Sequence, residues 1–416
     1  MAEIRPFRGI RPQRGKAARI AALPYDVYSR KEAADIVERN PDSFLKIDRA
    51  ETGFPSSVDM YDERVYRRAH DLLWGMVADG SFVQEKKECY YIYELTMNGR
   101  VQTGIVACAS IDDYLSQVIK KHENTREEKE IDRIRHVDAC NAQTGPIFLA
   151  YRARPEIHAV TEQVKAGEPE YDFVSEDGVR HRVFVIDGEE QIARIQKQFA
   201  GIGEIYIADG HHRAASAVKV GLQRRAEHPG YDGTEEFNYF LSVLFPDNEL
   251  MIMDYNRVVR DLNGYSEPDF LREVKKRFTV EELGADVPKR PGKKGSFTMY
   301  LGGNWYLCKF RREDLERVAG DPVGRLDVSL LQELLLAPVL GIREPKTDER
   351  IDFVGGIRGT EELERRCAGD CAVAFAMYPT AIAELFDVAD AGLLMPPKST
   401  WFEPKLRSGL FIHSLS

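Results

Sequence analysis

Apolar residues recur along much of the chain with the three- to four-residue spacing of amphipathic helices. The segment 61–78 shows this pattern, with valine, alanine, leucine and methionine on one face and Asp79-Gly80 after it. Ser29 followed by Glu32 forms the capping-box pattern that begins a helix. The predicted helices cover residues 30–39, 61–78, 111–119, 189–199, 214–220, 265–278, 329–336 and 380–389. A charged stretch at 120–136 is expected to continue as a helix to residue 142.

Other runs are rich in β-branched and aromatic residues and end at turn-forming residues. Asn98-Gly99 joins two of these runs, and this dipeptide is typical of a tight hairpin turn. Hairpins are also expected around Gly302-Gly303 and around Pro246-Asp247-Asn248. The predicted strands cover residues 20–28 with a turn at Pro24, 43–47, 90–96, 100–110, 146–152, 182–187, 205–208, 238–244, 251–254, 296–301, 305–310 and 372–378.

Strands and helices mix without the regular alternation of a parallel α/β protein, and several neighbouring strands form hairpins. We therefore expect a mixed α/β (α+β) fold. A chain of 416 residues is long enough for two or three domains. We place an N-terminal α/β region at 1–240 and a C-terminal α/β region at 241–416, with one intertwined unit as the alternative.

Composition and charge exclude several classes of protein. Hydrophobic residues make up 43% of the chain, which is enough for a large core and excludes a disordered protein. No apolar run is long enough to cross a bilayer, and the N-terminus lacks the apolar region of a signal peptide, so we expect a cytoplasmic protein without a membrane partner. A net charge of −10 argues against binding of nucleic acid. The spacing of the six cysteines matches no zinc site.

The segment Ala208-Asp209-Gly210-His211-His212-Arg213 carries the strongest functional signal. It connects a short apolar strand to a small-residue helix, whose N-terminus would present N–H groups and positive potential to an anion. Gly210 permits a tight turn, and Arg213 can hold phosphate oxygens through two hydrogen bonds. Asp209 could hold a metal ion or take a proton. A solvated polar loop is the simpler alternative.

A second polar cluster, His122-Glu123-Asn124-Thr125-Arg126, combines proton donors, acceptors and a carboxylate. It lacks the two histidines around a glutamate that a zinc-protease helix requires. A functional role and a plain solvated segment explain it equally well. A surface helix with ion pairs is expected over 127–130, and Arg133 would share its face with Arg126.

Two further segments bear polar groups near turns. Pro24-Tyr25-Asp26-Val27 places a carboxylate where a strand is expected to end. The segment 395–405 contains Lys398-Ser399-Thr400-Trp401 and Lys405, which offer positive charge, hydroxyl groups and a stacking surface. It lacks the glycine-rich run of a P-loop, and a loop that merely covers the core explains it equally well.

The four motifs Pro-Tyr-Asp-Val, His-Glu-Asn-Thr, Asp-Gly-His-His-Arg and Met-Pro-Pro-Lys-Ser-Thr occur here in the order found in a large prokaryotic family. The chain is identified as a member of that family, the domain of unknown function 1015 family, over nearly its whole length. Asp-Gly-His-His-Arg also resembles the phosphate-binding box of the ParB/sulfiredoxin superfamily. Free-serine kinases of that superfamily transfer a phosphoryl group from ATP or ADP to the hydroxyl of free L-serine. The resemblance implies a ParB/sulfiredoxin-like nucleotide-binding core with large additional mixed α/β regions.

On this hypothesis the protein is a free-serine kinase that binds a nucleotide, a small amino-acid substrate and Mg²⁺; a homo-oligomer is left open. Asp209 or Glu123 would hold the metal, and Glu123 is favoured over Asp26 and Asp209 as the general base. The catalytic candidates are Asp209, Glu123, His122 and Asp26. The nucleotide- and phosphate-binding candidates are Gly210, His211, His212, Arg213, Arg126, Lys398, Ser399, Thr400 and Lys405. The substrate-binding candidates are Tyr25, Asn124, Thr125 and Trp401.

Related activities fit the residues less well. A sulfiredoxin needs a cysteine in the phosphate box, and 208–213 contains none. A ParB DNA clamp needs a basic helix-turn-helix, and the sequence shows no clear one. A protein kinase needs a glycine-rich loop, which is also lacking. Two alternatives stay open: a nucleotide hydrolase, which would release phosphate without serine, and a nucleotide-binding switch or partner-binding module, which would bind nucleotide without turnover.

Overall fold

The computed structural model of the protein describes residues 1–125 and 127–416, which divide into two units. The first unit contains residues 1–250 and 404–416, and the second contains residues 251–403. No helix among the described residues is long and apolar enough to span a membrane.

The first unit is built around one large mixed sheet. Its strands up to residue 250 are β1 (Ile4–Arg5), β2 (Ile10–Pro12), β3 (Phe82–Gln84), β4 (Tyr90–Met97), β5 (Arg100–Ser110), β6 (Ile119–Lys120), β7 (Ala142–Gln143), β8 (Ile147–Tyr151), β9 (Tyr171–Val174), β10 (Arg180–Ile186), β11 (Ile205–Asp209) and β12 (Tyr239–Pro246). Its helices are α1 (Ala17–Ile20), α2 (Arg30–Arg39), α3 (Leu45–Asp48), α4 (Glu63–Ala78), α5 (Ile111–Leu115), α6 (Glu127–Cys140), α7 (Pro155–Lys165), α8 (Glu189–Ala200) and α9 (His211–Glu227).

The order of strands in the large sheet is β6-β11-β8-β12-β5-β4-β10-β9, with β1 beside β5. β11 runs parallel to β6, and β12 runs parallel to β8, whereas β11 and β8 are antiparallel. Apolar residues of the sheet form one buried cluster with α7, α8 and α9, and a second cluster lies among α1 to α4. The expected mixed α/β fold is confirmed, and α9 packs against α6 and against strands β12 and β8 of the sheet.

The second unit has its own antiparallel sheet. Its strands are β13 (Ile252–Met253), β14 (Tyr255–Val259), β15 (Thr279–Leu283), β16 (Ser296–Leu301), β17 (Asn304–Lys309), β18 (Ile351–Gly355), β19 (Val373–Met377) and β20 (Trp401–Phe402). Its helices are α10 (Glu267–Arg277), α11 (Arg312–Arg317), α12 (Asp327–Leu331), α13 (Glu361–Gly369) and α14 (Ile382–Asp390). The sheet order is β15-β17-β16-β19-β14-β18, and β13 pairs separately with β20.

The C-terminal residues 404–416 pass through the first unit. Ser408 bridges to Ala22, Ile412 bridges to Ile10, and a last strand, β21 (His413–Ser414), pairs with β7. This path carries Lys405 to the end of β11, where the candidate site lies.

Predictions based on local signals are confirmed. Ser29 caps α2 with Glu32 in the expected capping box. Asn98 and Gly99 have φ angles of 51° and 78°, the left-handed conformation that a tight turn between β4 and β5 requires. The turn at Gly302-Gly303 joins β16 and β17 as expected.

Four predicted elements are wrong. Residues 20–28 form no strand, because α1 ends at Ile20 and a 3₁₀ turn covers Tyr25–Val27. Residues 45–48 are helical, whereas a strand was predicted at 43–47. The prediction is wrong because the periodicity of a short apolar run does not distinguish a strand from a helix. β12 and β13 form no hairpin, because β13 pairs with the distant β20. The helix predicted at 111–119 ends at Leu115, after which Ile119 enters the sheet.

Candidate active site

The turn between β11 and α9 is shaped by Gly210. This residue has φ 92° and ψ 32°, a left-handed conformation that favours glycine. A β-carbon there would lie 3.0 Å from Nε of Arg213. The helix therefore begins at His211, three residues earlier than the sequence pattern predicted. Its first backbone N–H groups come directly after Gly210, which is the N-cap residue.

Asp209 ends β11 and forms an ion pair with a residue far along the chain. Lys405 Nζ lies 3.0 Å from Asp209 Oδ2, and the backbone N–H of Gly210 donates to Oδ1 at 2.8 Å. Burial alone would raise the pKa of this carboxyl, but Lys405 and Arg213 outweigh it and hold the pKa well below its usual range. The side chain is still 36% exposed, so it is an ionised carboxylate that a ligand can reach.

Arg213 folds back over Gly210, and its Nη1 donates to the carbonyl oxygen of Pro146 at 2.7 Å. No side chain of the described residues caps the N-terminus of α9. A helix N-terminus with a half-buried guanidinium beside it suits an anion, because both supply donors and positive potential.

His122 and His211 form a buried pair of imidazoles. Their ring centroids are 4.5 Å apart at right angles, and the backbone N–H of His122 donates to His211 Nε2 at 3.5 Å. Burial lowers the pKa of His122 to about 4 and holds the pKa of His211 well below its usual value. Both rings are therefore neutral at physiological pH, and Nδ1 of His122 has no hydrogen-bond partner among the described residues.

The other residues of the second motif separate from His122. Glu123 is half-buried and Asn124 is exposed, whereas the Thr125 hydroxyl donates to Glu130. Glu130 is buried and also pairs with Lys219 of α9, so the expectation of a surface position for it is wrong. Its carboxylate instead links α6 to α9. The predicted phosphate-binding residue Arg126 lies outside the described residues.

The first motif contributes Tyr25 but leaves Asp26 exposed. The Tyr25 ring lies 4.0 Å from the guanidinium carbon of Arg133, a buried residue of α6. Burial raises the pKa of Tyr25 to about 12, so its hydroxyl keeps the proton.

Sequence analysis missed the burial of Arg133, which was expected on a helix face shared with Arg126. The available signal was spacing: Glu130, Arg133, His136 and Cys140 recur at three- to four-residue intervals, and α6 buries this face.

The last motif lies in the second unit. Lys398 has φ 58°, and its Nζ lies 5.6 Å from the centre of the Tyr255 ring. The Ser399 hydroxyl donates to the Pro396 carbonyl oxygen at 2.6 Å, and Trp401 Nε1 donates to Glu403 at 2.8 Å. Thr400 lies between them and is half-buried.

A search of curated proteins finds no match to the chain. Among solved structures, SbnI with a C-terminal truncation from Staphylococcus aureus is 14% identical, with a TM-score of 0.37, and the match covers 72% of this chain and 82% of that one. A free serine kinase in complex with AMP is 14% identical, with a TM-score of 0.35, and the match covers 74% and 91% of the two chains. A conserved hypothetical protein from Pyrococcus furiosus is 14% identical, with a TM-score of 0.33 and coverage of 74% and 94%.

TM-scores under 0.5 do not establish a common fold, so these likenesses carry no functional argument. The match to a family model is of a different kind, because it extends over most of the sequence. That model is described as Protein of unknown function (DUF1015) and matches residues 4–329. The chain belongs to this family.

Proposed function

We propose that the protein is a kinase that transfers a phosphoryl group from ATP or ADP to the hydroxyl of free L-serine. The observation that carries the proposal is the turn at 209–213. There, an ionised and partly exposed carboxylate, a helix N-terminus without a side-chain cap and a half-buried arginine lie within one turn of the chain. Phosphoryl transfer depends mainly on positioning and charge neutralisation, which are the properties these groups supply.

The roles follow from the charges. Arg213, the first N–H groups of α9 and the paired Lys405 bind phosphate oxygens. The neutral imidazoles of His211 and His122 orient these oxygens without adding positive charge. His212, the next residue of α9, is a further phosphate-binding candidate. Lys398, Ser399 and Thr400 are further phosphate-binding candidates, and Trp401 is a candidate for stacking on the substrate.

The general base must take a proton from the serine hydroxyl. A carboxylate whose pKa is held far below the working pH is a weak base, so Asp209 is poorly suited to this step. Glu123 is half-buried and Asp26 is exposed. We therefore assign the base to Glu123, with Asn124, Thr125 and Tyr25 as neighbouring substrate contacts.

Mg²⁺ is the proposed metal. The described residues contain no group of three or more metal-binding side chains. Mg²⁺ in nucleotide sites is held by one or two carboxylates together with phosphates and water, and Asp209 offers such a carboxylate. The ion would neutralise phosphate charge, with Asp209 as its main protein ligand and Glu123 as the second candidate.

The test is product analysis with purified protein, L-serine, Mg²⁺ and either ATP or ADP. We expect O-phosphoserine by mass spectrometry with at least one donor, and none without serine. Phosphate release that does not depend on serine would instead identify a nucleotide hydrolase. Nucleotide binding without turnover would identify a switch or partner-binding module.

A further inference from the structure

The C-terminal segment 404–416 brings Lys405 to the candidate site, and backbone bonds fix this segment further along. Ser408 exchanges two backbone hydrogen bonds with Ala22, at 2.8 and 3.2 Å. Arg407 lies between Lys405 and these bonds. Two residues of chain span at most about 7 Å, so the groups that hold residue 407 also limit where residue 405 can lie.

The side chain of Arg407 is buried among polar groups of β10 and of the turn that joins it to β9. Its Nη2 donates to Ser175 Oγ at 3.0 Å and forms an ion pair with Asp177, and its Nε donates to His181 Nε2 at 3.4 Å. Ser175 Oγ also lies 2.9 Å from His181 Nε2. This Arg407 cluster (Arg407, Ser175, Asp177 and His181) joins the C-terminal segment to a hairpin about 230 residues earlier.

His181 gives the cluster a rigid and uncharged acceptor. Burial lowers the pKa of His181 to about 3, so the ring is neutral and does not repel the guanidinium. Its Nδ1 lies 2.8 Å from the Tyr93 hydroxyl, and the ring stacks on Phe173 at 5.0 Å between centroids. A buried guanidinium costs free energy even when it is paired, so such a cluster favours one path of the chain more than it stabilises the core.

We propose that Arg407 is a positioning residue for the 209–213 turn, because the Arg407 cluster fixes the C-terminal segment where Lys405 reaches Asp209. The inference rests on the proposed function and deepens it, since Lys405 and Asp209 supply charges of the proposed phosphate site. An ion pair between flexible side chains contributes little unless its geometry is held. Arg407 acts through Lys405 rather than on the substrate.

The first test measures the reactivity of Lys405 and requires no enzymatic activity. Trace acetic anhydride acetylates lysines in their uncharged form, and peptide mass spectrometry gives the rate at each site. A lysine held by a carboxylate stays protonated and reacts slowly. In Arg407→Gln, we expect Lys405 to react about fivefold to tenfold faster than in the wild-type protein, the effect of losing a charged hydrogen bond. An unchanged rate would overturn the inference.

The protein offers matched controls for this test. Lys120 is an internal control, because it pairs with Glu204 at 2.9 Å and is 17% exposed, compared with 16% for Lys405. Arg180→Gln is the control variant, since Arg180 precedes His181 on β10 but pairs with a carboxylate at the surface. We expect it to change neither rate. A general loosening of the Arg407→Gln protein, seen as equal acceleration at Lys120 and Lys405, would overturn the positioning role.

The second test is kinetic and separates positioning from an independent structural role. Arg407→Gln should lower kcat/KM for the nucleotide about tenfold, and Arg407→Lys, which keeps the charge but lacks the planar guanidinium, should regain part of the loss. The double variant Lys405→Gln/Arg407→Gln should be no less active than Lys405→Gln alone, because both changes remove the same interaction. Losses that multiply in the double variant would overturn the inference.

The two tests also separate this inference from the kinase proposal. A protein that makes no O-phosphoserine, but whose Lys405 is released in Arg407→Gln, supports the positioning role and refutes the kinase. A kinase in which that rate is unchanged refutes the positioning role alone. If Arg407→Gln does not fold, Asp177→Asn replaces it: this carboxylate is 43% exposed, and its loss should accelerate acetylation of Lys405 about twofold to fivefold.

Discussion

Two polar turns of this protein looked alike in sequence and differ in structure. In the 209–213 turn, side chains take partners from distant parts of the chain, and the Asp209–Lys405 pair spans 196 residues. In the 398–401 turn, the Ser399 and Trp401 side chains donate hydrogen bonds to residues two or three positions away, and Lys398 and Trp401 lie against the ring of Tyr255. The distant contact of the first turn pairs opposite charges, whereas that of the second is a contact with an aromatic ring. An ion pair between distant segments holds charged groups that the turn itself does not need, which is the pattern of a binding site.

The largest effect is expected from Asp209→Asn. Asparagine can still accept the Gly210 N–H but carries no charge for a cation or for Lys405. We expect turnover to fall about 10²–10³-fold, and some stability to be lost with the ion pair to Lys405, so turnover is compared well below the unfolding transition. The control is Asp172→Asn, whose carboxylate pairs with Arg180 on the surface and should change turnover less than about twofold. Wild-type turnover in Asp209→Asn would show that the 209–213 turn does not carry out the reaction.

Substitution of Lys405, which pairs with Asp209, and of Lys398 compares the 209–213 and 398–401 turns directly. Lys405→Gln removes the ion pair to Asp209 and should lower kcat/KM about tenfold to hundredfold, the range for a charged hydrogen bond. Lys398→Gln removes an ammonium group beside the Tyr255 ring, a secondary phosphate-binding candidate, and should lower kcat/KM by only about threefold. An equal loss in both variants would make the two turns contribute equally to phosphate binding and erase the contrast.

Gly210→Ala tests the backbone of the turn. Alanine at φ 92° should cost about 1–2 kcal/mol of unfolding free energy, and its methyl group would displace Arg213. Gly75→Ala is the matched control, because a β-carbon in this part of α4 meets no atom within 4 Å. That change should stabilise the protein by about 0.5–1 kcal/mol in urea unfolding. A neutral Gly210→Ala would mean that the turn is not strained.

The remaining prediction concerns the pH dependence of stability and the buried imidazoles. The folded-state pKa of His122 is lowered from 6.5 to about 4, so between these values the unfolded chain binds a proton that the folded protein does not. Stability should therefore decrease as pH falls through this window, by up to about 1.4 kcal/mol per pH unit for this group. His122→Gln should reduce that slope, whereas the exposed His70→Gln should not. An unchanged pH dependence of the unfolding free energy in His122→Gln would mean that the His122 ring is exposed to water in the folded protein.

Local signals predicted much of the fold and little of the site. The capping box at Ser29 and the Asn98-Gly99 turn depend on neighbouring residues, and both are confirmed. The run at 43–47 was assigned wrongly because five residues fit a strand or a single helical turn equally well. The Lys405–Asp209 pair depends on the path of residues 404–416 through the first unit, which no local pattern contains.

The central claim is that the 209–213 turn transfers phosphate to free serine, and labelled phosphate tests it most directly. Wild-type protein and Asp209→Asn would be incubated in parallel with L-serine, Mg²⁺ and ATP or ADP labelled in the terminal phosphate. We predict that wild-type protein moves the label into O-phosphoserine and that Asp209→Asn moves almost none. Label that reaches only inorganic phosphate, or equal labelling of serine by both proteins, would contradict the claim.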